Sequence, residues 1–159
     1  DSPPAMRTFY GKRLPRFTAE QSRFVNGSAD FFALNHYGSS WSEYFEPAIV
    51  EEAPHDGTLS KITTDGLVHG QSVWLYGAGW GLRKLLNWVH RRYGHPSIYL
   101  TEGGWSVAAD TADEGIKDTD RVLYYANYTS EMLRAMTQDG VDVRGYFAWS
   151  LMDNFEWEQ

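Results

Sequence analysis

Two short runs carry the residues that could do chemistry. The first, Ser97-Ile-Tyr-Leu-Thr-Glu102-Gly-Gly104, is an apolar, β-branched and aromatic segment that ends in an acid followed by two glycines. Apolar runs of this length bounded by turn residues read as buried strands, and a carboxylate at the C-terminal lip of a buried strand is where α/β barrels keep their chemistry. A solvated strand-end Glu is an equal alternative for this run by itself. The second run, Gly145-Tyr-Phe-Ala-Trp149-Ser-Leu-Met-Asp-Asn-Phe-Glu156-Trp157, shifts the balance. It too begins apolar, then opens into a segment that mixes Trp, Asp, Asn, Glu and Trp. Acids and amides can exchange hydrogen bonds with a polar ligand, and Trp rings at strand ends offer it a flat apolar face.

Composition narrows the functions such a site could serve. Seven tryptophans in 159 residues exceed what a core of this size needs, although some, such as Trp88 inside a helical pattern, are ordinary packing residues. A net charge of -7 provides no basic stripe to neutralise phosphates, which argues against a nucleic-acid partner. No run approaches the roughly 18 apolar residues of a membrane helix, so no membrane partner is expected. The chain has no cysteine, which excludes disulfides and thiolate metal sites while leaving the compartment open. His36, His55, His69, His90 and His95 show no ligand spacing, so neither a metal nor a cofactor is expected.

The elements that must position these residues follow from periodicity and punctuation. Residues 1–16, with Pro3, Pro4, Gly11 and Pro15, read as loop. Thr18-Ala-Glu-Gln21 has the form of a capping box and should open a helix through Val25. A strand is expected over 29–34, then a long stretch, 38–73, with few periodic signals. Leu82, Leu85, Leu86, Val89 and Tyr93 mark an amphipathic helix over 81–93, stopped by Gly94 and Pro96. Gly77-Ala-Gly79-Trp-Gly81 before it follows no convincing strand, so it reads as a flexible lead-in rather than a dinucleotide turn. A strand over 97–101, a polar loop over 106–117, a helix over 120–138 and a strand over 143–148 complete the series. The alternation is that of parallel βα units. Three such strands cannot close an eight-stranded barrel, which typically takes about 250 residues.

Taken together, these residues resemble glycoside hydrolase family 1, the β-glucosidase family of (β/α)8 barrels. The likeness rests on Arg13-Leu-Pro-Arg-Phe-Thr18, Gly27-Ser-Ala-Asp-Phe31, Leu34-Asn-His-Tyr37, Gly81-Leu-Arg-Lys-Leu-Leu86, Tyr99-Leu-Thr-Glu-Gly-Gly104 and Asp142 through Trp157, in the family's order. It implies an α/β fold that is part of a TIM barrel, strands six to eight with their helices. Residues 1–159 would then be the C-terminal portion of a single barrel domain whose N-terminal half is absent.

The resemblance also implies roles. Glu102 matches the catalytic nucleophile of a retaining β-glycosidase, which forms a covalent glycosyl-enzyme. Tyr37 matches the tyrosine that bonds and orients it, and Asn35 a polar neighbour. Trp149 resembles the platform beneath the sugar, Glu156 and Trp157 the groups that bond its hydroxyls, and Trp74 the wall beside the aglycone. The implied partner is a small β-glycoside or oligosaccharide, with the acid/base carboxyl supplied by the absent half of the barrel. A non-catalytic carbohydrate-binding piece and a myrosinase-like thioglucosidase remain open as alternatives. The motif's Trp149–Ser150 peptide is expected to be cis. Gly103, His36 and Gly79 depart from the family's usual Asn, Tyr and Pro, and Gly103 beside Gly104 is expected to loosen the backbone next to the nucleophile.

Overall fold

The computed structural model describes residues 2–44 and 60–154. These fall into two compact units, one drawn from Asp1–Asp30 and Glu43–Lys61, the other from Phe31–Ser42 and Ile62–Gln159.

In the first unit, α1 (Pro4–Tyr10) and a 3-10 turn (Gly11–Arg13) occupy the segment expected to be loop. Proline punctuates a helix from inside when it sits in the first turn, where its missing N–H costs nothing and its φ is already helical. Pro4 stands there, and Gly11, at φ 53°, ends the helix. The second helix, α2 (Ala19–Val25), has the expected reciprocal cap: the Gln21 N–H donates to Thr18 Oγ1 at 3.1 Å, and the Thr18 N–H donates to Gln21 Oε1 at 2.9 Å.

The second unit holds a three-stranded parallel sheet in the order β1 (Phe32–Asn35), β6 (Ile98–Glu102), β7 (Val143–Tyr146). Leu34 stands opposite Leu100, Asn35 opposite Glu102, and Leu100 opposite Tyr146, so the C-terminal ends of all three strands are level. The stretch with few periodic signals, 38–73, carries short strands, β2 (Trp41–Tyr44), β3 (Ser60–Thr63) and β4 (Val68–His69), and β4 pairs antiparallel with β5 (Tyr76–Gly77) just beyond it. A strand of two residues leaves no period to read.

Two long helices, α3 (Gly79–Arg92) and α5 (Thr119–Asp139), cross one face of the sheet, and a one-turn helix, α4 (Ala112–Gly115), interrupts the polar loop before α5. The core is the seam between sheet and helices: Ile98, Leu100 and Val143 from the strands meet Leu82, Leu86 and Val89 from α3 and Tyr124, Tyr128 and Ala135 from α5. Each fully buried aliphatic side chain there contributes about 1.5–3 kcal/mol. The opposite face is aromatic and open among the described residues. Phe31 lies edge-on to Tyr99 at 5.1 Å, and Phe31 and Phe147 are more than half exposed. Alternation sends Phe32 and Leu34 to the covered face, so the open face is rich in aromatic residues and not in leucine.

Gly79 and Gly81, in the first turn of α3, are not a flexible lead-in. A Cβ on Gly79 would overlap the Asn127 side chain and lie 3.1 Å from the Asn127 carbonyl oxygen, and one on Gly81 would overlap Ser39. They mark close approaches, which is the use of glycine that needs no unusual φ.

Candidate active site

The level strand ends place three segments side by side. Asn35 closes β1, Glu102 closes β6, and Trp149 lies three residues beyond β7. Backbone bonds tie these segments together: the His36 N–H donates to the Glu102 carbonyl at 3.0 Å, Phe147 to Leu100 at 2.8 Å, and Trp149 to Gly103 at 2.8 Å. Just past β1, the Ser39 N–H donates to the Tyr76 carbonyl at 2.7 Å.

Within this frame the Tyr37 hydroxyl donates to Glu102 Oε2 at 2.6 Å, a short, charge-assisted contact across 65 residues of sequence. The Tyr37 ring meets Trp74 edge-on at 5.8 Å. Tyr37, Trp74, Glu102, Trp105, Trp149 and Asp153 line a cavity of about 610 Å³. That volume is typical of small-molecule sites, and the mix of Trp faces with a few polar groups suits a sugar-sized ligand. Asn35 accepts from the Thr101 hydroxyl at 2.6 Å, on the strand pair that carries Glu102. Thus Asn35, Tyr37, Trp74, Glu102 and Trp149 gather at one end of the sheet, whereas Glu156 and Trp157 lie outside the described residues. The Trp149–Ser150 peptide is cis.

Several residues in this neighbourhood were not singled out by sequence reasoning. Arg121, on α5, bridges Asp118 at 2.6 Å and Asp153 at 2.7 Å, tying the helix to the segment after Trp149. The Ser150 hydroxyl donates to the Met152 carbonyl at 2.6 Å and accepts from the Asn154 amide at 2.9 Å. Beneath the cavity, α5 presents three tyrosines. The Tyr124 hydroxyl donates to the Tyr37 carbonyl at 2.9 Å, and the Tyr125 hydroxyl approaches the Gly103 carbonyl at 3.4 Å and that of Trp149 at 3.5 Å. The Ala78 N–H donates to the Tyr128 hydroxyl at 2.9 Å. Burial pushes the pKa of Tyr124 up, helped by Tyr128 and Tyr146, and burial does the same to Tyr125, Tyr128 and Tyr146, so all four hydroxyls keep their protons. The one signal in sequence was a doubled Tyr on a helix, which periodicity reads as apolar.

The departures have a steric basis. A Cβ on Gly103 would sit 2.7 Å from the Tyr146 hydroxyl and 3.1 Å from the His36 carbonyl, and one on Gly104 would overlap the Trp149 carbonyl. The pair therefore lets strands and loops close on one another, which corrects the expectation of a loosened backbone. Trp105 is core: it is stacked on Tyr124 at 5.2 Å and largely buried. Among the described residues there is no cluster of three potential metal ligands, and no helix is long and apolar enough to cross a membrane.

Comparison with known proteins agrees with this geometry. The family model described as glycosyl hydrolase family 1 matches residues 1–159. The chain belongs to that family. Among curated relatives, β-glucosidase 6 of Oryza sativa subsp. japonica is 37% identical over 168 residues, which include 99% of this chain and 32% of the relative. A mutant rice β-glucosidase solved in a covalent complex with Glc superposes with a TM-score of 0.90 at 35% identity, over 98% of this chain and 35% of that one. β-Glucosidase 2 of Trichoderma reesei, in complex with Tris, gives 0.85 at 41% identity, over 99% and 35%. The chain thus spans about a third of the length of the curated relatives it matches. Its parallel strands and flanking helices are part of a (β/α)8 barrel, roughly the sixth to eighth units.

Proposed function

We propose that this chain is the nucleophile-bearing part of a retaining β-glycosidase acting on terminal β-linked sugars. The observation that carries the reading is the 2.6 Å bond from Tyr37 to Glu102, at the strand ends and inside a Trp-lined cavity. A carboxylate held this way is aimed for attack on an anomeric carbon. A Glu102 oxygen forms the new C–O bond as the bond to the leaving oxygen breaks, and the sugar is left covalently on the carboxylate. Water then attacks the same carbon and releases Glu102. Trp149 and Trp74 supply apolar faces to the sugar and its leaving group, and Asn35, Glu156 and Trp157 bond its hydroxyls.

The retaining reaction needs a second carboxyl about 5–5.5 Å from the first, to protonate the leaving oxygen and later take a proton from water. Among the described residues, Asp153 is the other carboxyl lining the cavity, and Arg121 holds it in an ion pair. We assign the acid/base to a strand of the barrel outside these 159 residues. General-acid help is typically worth about 10²–10⁴-fold. Residues 1–159 expressed alone should accordingly lack turnover at the rate of the full-length protein.

The test is trapping. A fluoro-sugar that forms the glycosyl-enzyme quickly and hydrolyses slowly is incubated with the full-length protein, and the labelled peptide is sequenced by mass spectrometry. Label on Glu102, lost in Glu102→Gln, is the expected result. Label on Glu156 or on any other residue refutes the assignment.

A further inference from the structure

Helix α5 does more than cover the sheet, and its contribution bears on the reaction proposed for Glu102, on which this inference rests. Two hydrogen bonds run in series from the helix to the carboxylate. The Tyr124 hydroxyl donates to the Tyr37 carbonyl at 2.9 Å, and the Tyr37 hydroxyl donates to Glu102 Oε2 at 2.6 Å. Tyr124 is only 6% exposed, and its ring lies between those of Trp105 at 5.2 Å and Tyr128 at 4.1 Å, both stacked on it. Its hydroxyl therefore has little freedom to wander. Tyr37, in contrast, sits on the short segment between β1 and Ser39, and its side chain has to reach across to a different strand.

We infer that Tyr124 is a positioning residue for the nucleophile: its hydroxyl fixes the backbone of Tyr37, and through it the donor that aims Glu102. Tyr124 touches neither substrate nor the reacting atoms. Its ring and its hydroxyl have separable duties, since the ring fills the core against Trp105 and Tyr128 while the hydroxyl alone reaches the Tyr37 carbonyl. Tyr128 provides the internal comparison. It lies on the same helix and is buried in the same core, but its hydroxyl accepts from the Ala78 N–H and makes no bond to the Tyr37 carbonyl.

The experiment measures, in the full-length protein, the rate and the saturation constant for covalent labelling of Glu102 by a slow-deglycosylating fluoro-sugar. Loss of the Tyr37 hydroxyl bond to a charged acceptor should slow labelling about 10- to 100-fold in Tyr37→Phe. Loss of the hydroxyl in Tyr124→Phe, which removes its bond to the Tyr37 carbonyl and its contact with the Gly104 backbone, should slow it about 3- to 10-fold with the saturation constant unchanged. In the Tyr37→Phe background Tyr124→Phe should add nothing, because the effect passes through the group already removed. Tyr128→Phe should label at the wild-type rate. Replacement of Tyr124 by 3-fluorotyrosine, which keeps the donor, should do so as well.

The proposal is overturned by wild-type labelling in Tyr124→Phe, by multiplying losses in the double variant, or by equal slowing in Tyr128→Phe. Slow labelling with 3-fluorotyrosine overturns it whether or not Tyr124→Phe folds. If the wild type takes no label on Glu102, the nucleophile reading fails and this proposal fails with it. If the wild type labels and only the pattern among variants is wrong, the nucleophile reading stands.

Discussion

Replacing Gly104 with alanine should displace Trp149 relative to the nucleophile without altering any side chain proposed to meet a sugar. The added methyl would overlap the carbonyl oxygen of Trp149. Both partners are backbone, so no side-chain rotation relieves the clash, and the two segments must part. Carbon–oxygen contacts settle at about 3.3–3.6 Å, which requires a shift on the order of 1 Å. That shift breaks the bond from the Trp149 N–H to the Gly103 carbonyl, now 2.8 Å, and lengthens the Tyr125 contacts at 3.4 and 3.5 Å. The lost bond is worth about 0.5–1.5 kcal/mol and the crowding about 1–3 kcal/mol, a combined cost of about 1.5–4.5 kcal/mol. A 1 Å displacement near a reacting centre can cost about 10²-fold in rate. The assay is denaturant unfolding of the full-length protein alongside kcat/KM on an aryl β-glucoside. A Gly104→Ala protein with wild-type midpoint and turnover would refute the view that this glycine is a backbone contact point.

The other expectations are briefer. His36 is held below its usual pKa by burial, only partly offset by a backbone hydrogen bond. A base whose folded pKa is depressed leaves the unfolded state as the better proton binder below about pH 6.5, so stability should fall as pH drops through that range. Its replacement in His36→Gln should make the decline shallower in urea titrations at successive pH values. A residual slope should remain from His90, which is depressed by desolvation and then by its neighbour His95; an identical slope in the variant refutes the assignment. Gly103→Asn should lower stability by about 1–3 kcal/mol through crowding of the Tyr146 hydroxyl at 2.7 Å, and Tyr146→Phe should restore part of it. Thermal midpoints of the two single variants and the double variant decide this.

Features whose signals are local were legible from the chain. The capping box at Thr18 and Gln21, the apolar stripe Leu82, Leu86 and Val89, and the run that ends at Glu102 each announce themselves within a few residues, because helix and strand periods act over one or two turns. The boundaries differ from expectation by at most three residues. The family blocks were equally visible, and with them the gathering of Glu102, Tyr37 and Trp149 at one end of a parallel sheet. Where sequence reasoning erred, it treated punctuation as absence of structure. Pro4 opens a helix in a segment expected to be loop, and Gly79, Gly81, Gly103 and Gly104 admit neighbours where they were expected to bring flexibility.

The amino-acid order by itself determined the succession of βα units, the placement of an acid at a strand's end, and membership of a glycosidase family. Tertiary structure alone decided what stands behind Tyr37, the residue that meets that acid. Tyr124 lies 87 residues from Tyr37, and Tyr37 lies 65 from Glu102. A hydrogen bond needs its partners within about 3 Å, and no local pattern says which distant carbonyl a helical tyrosine will reach. The same holds for Trp105, which is buried because its ring stacks on Tyr124 from α5. Local propensity acts along the chain, whereas a site is assembled by contacts across it.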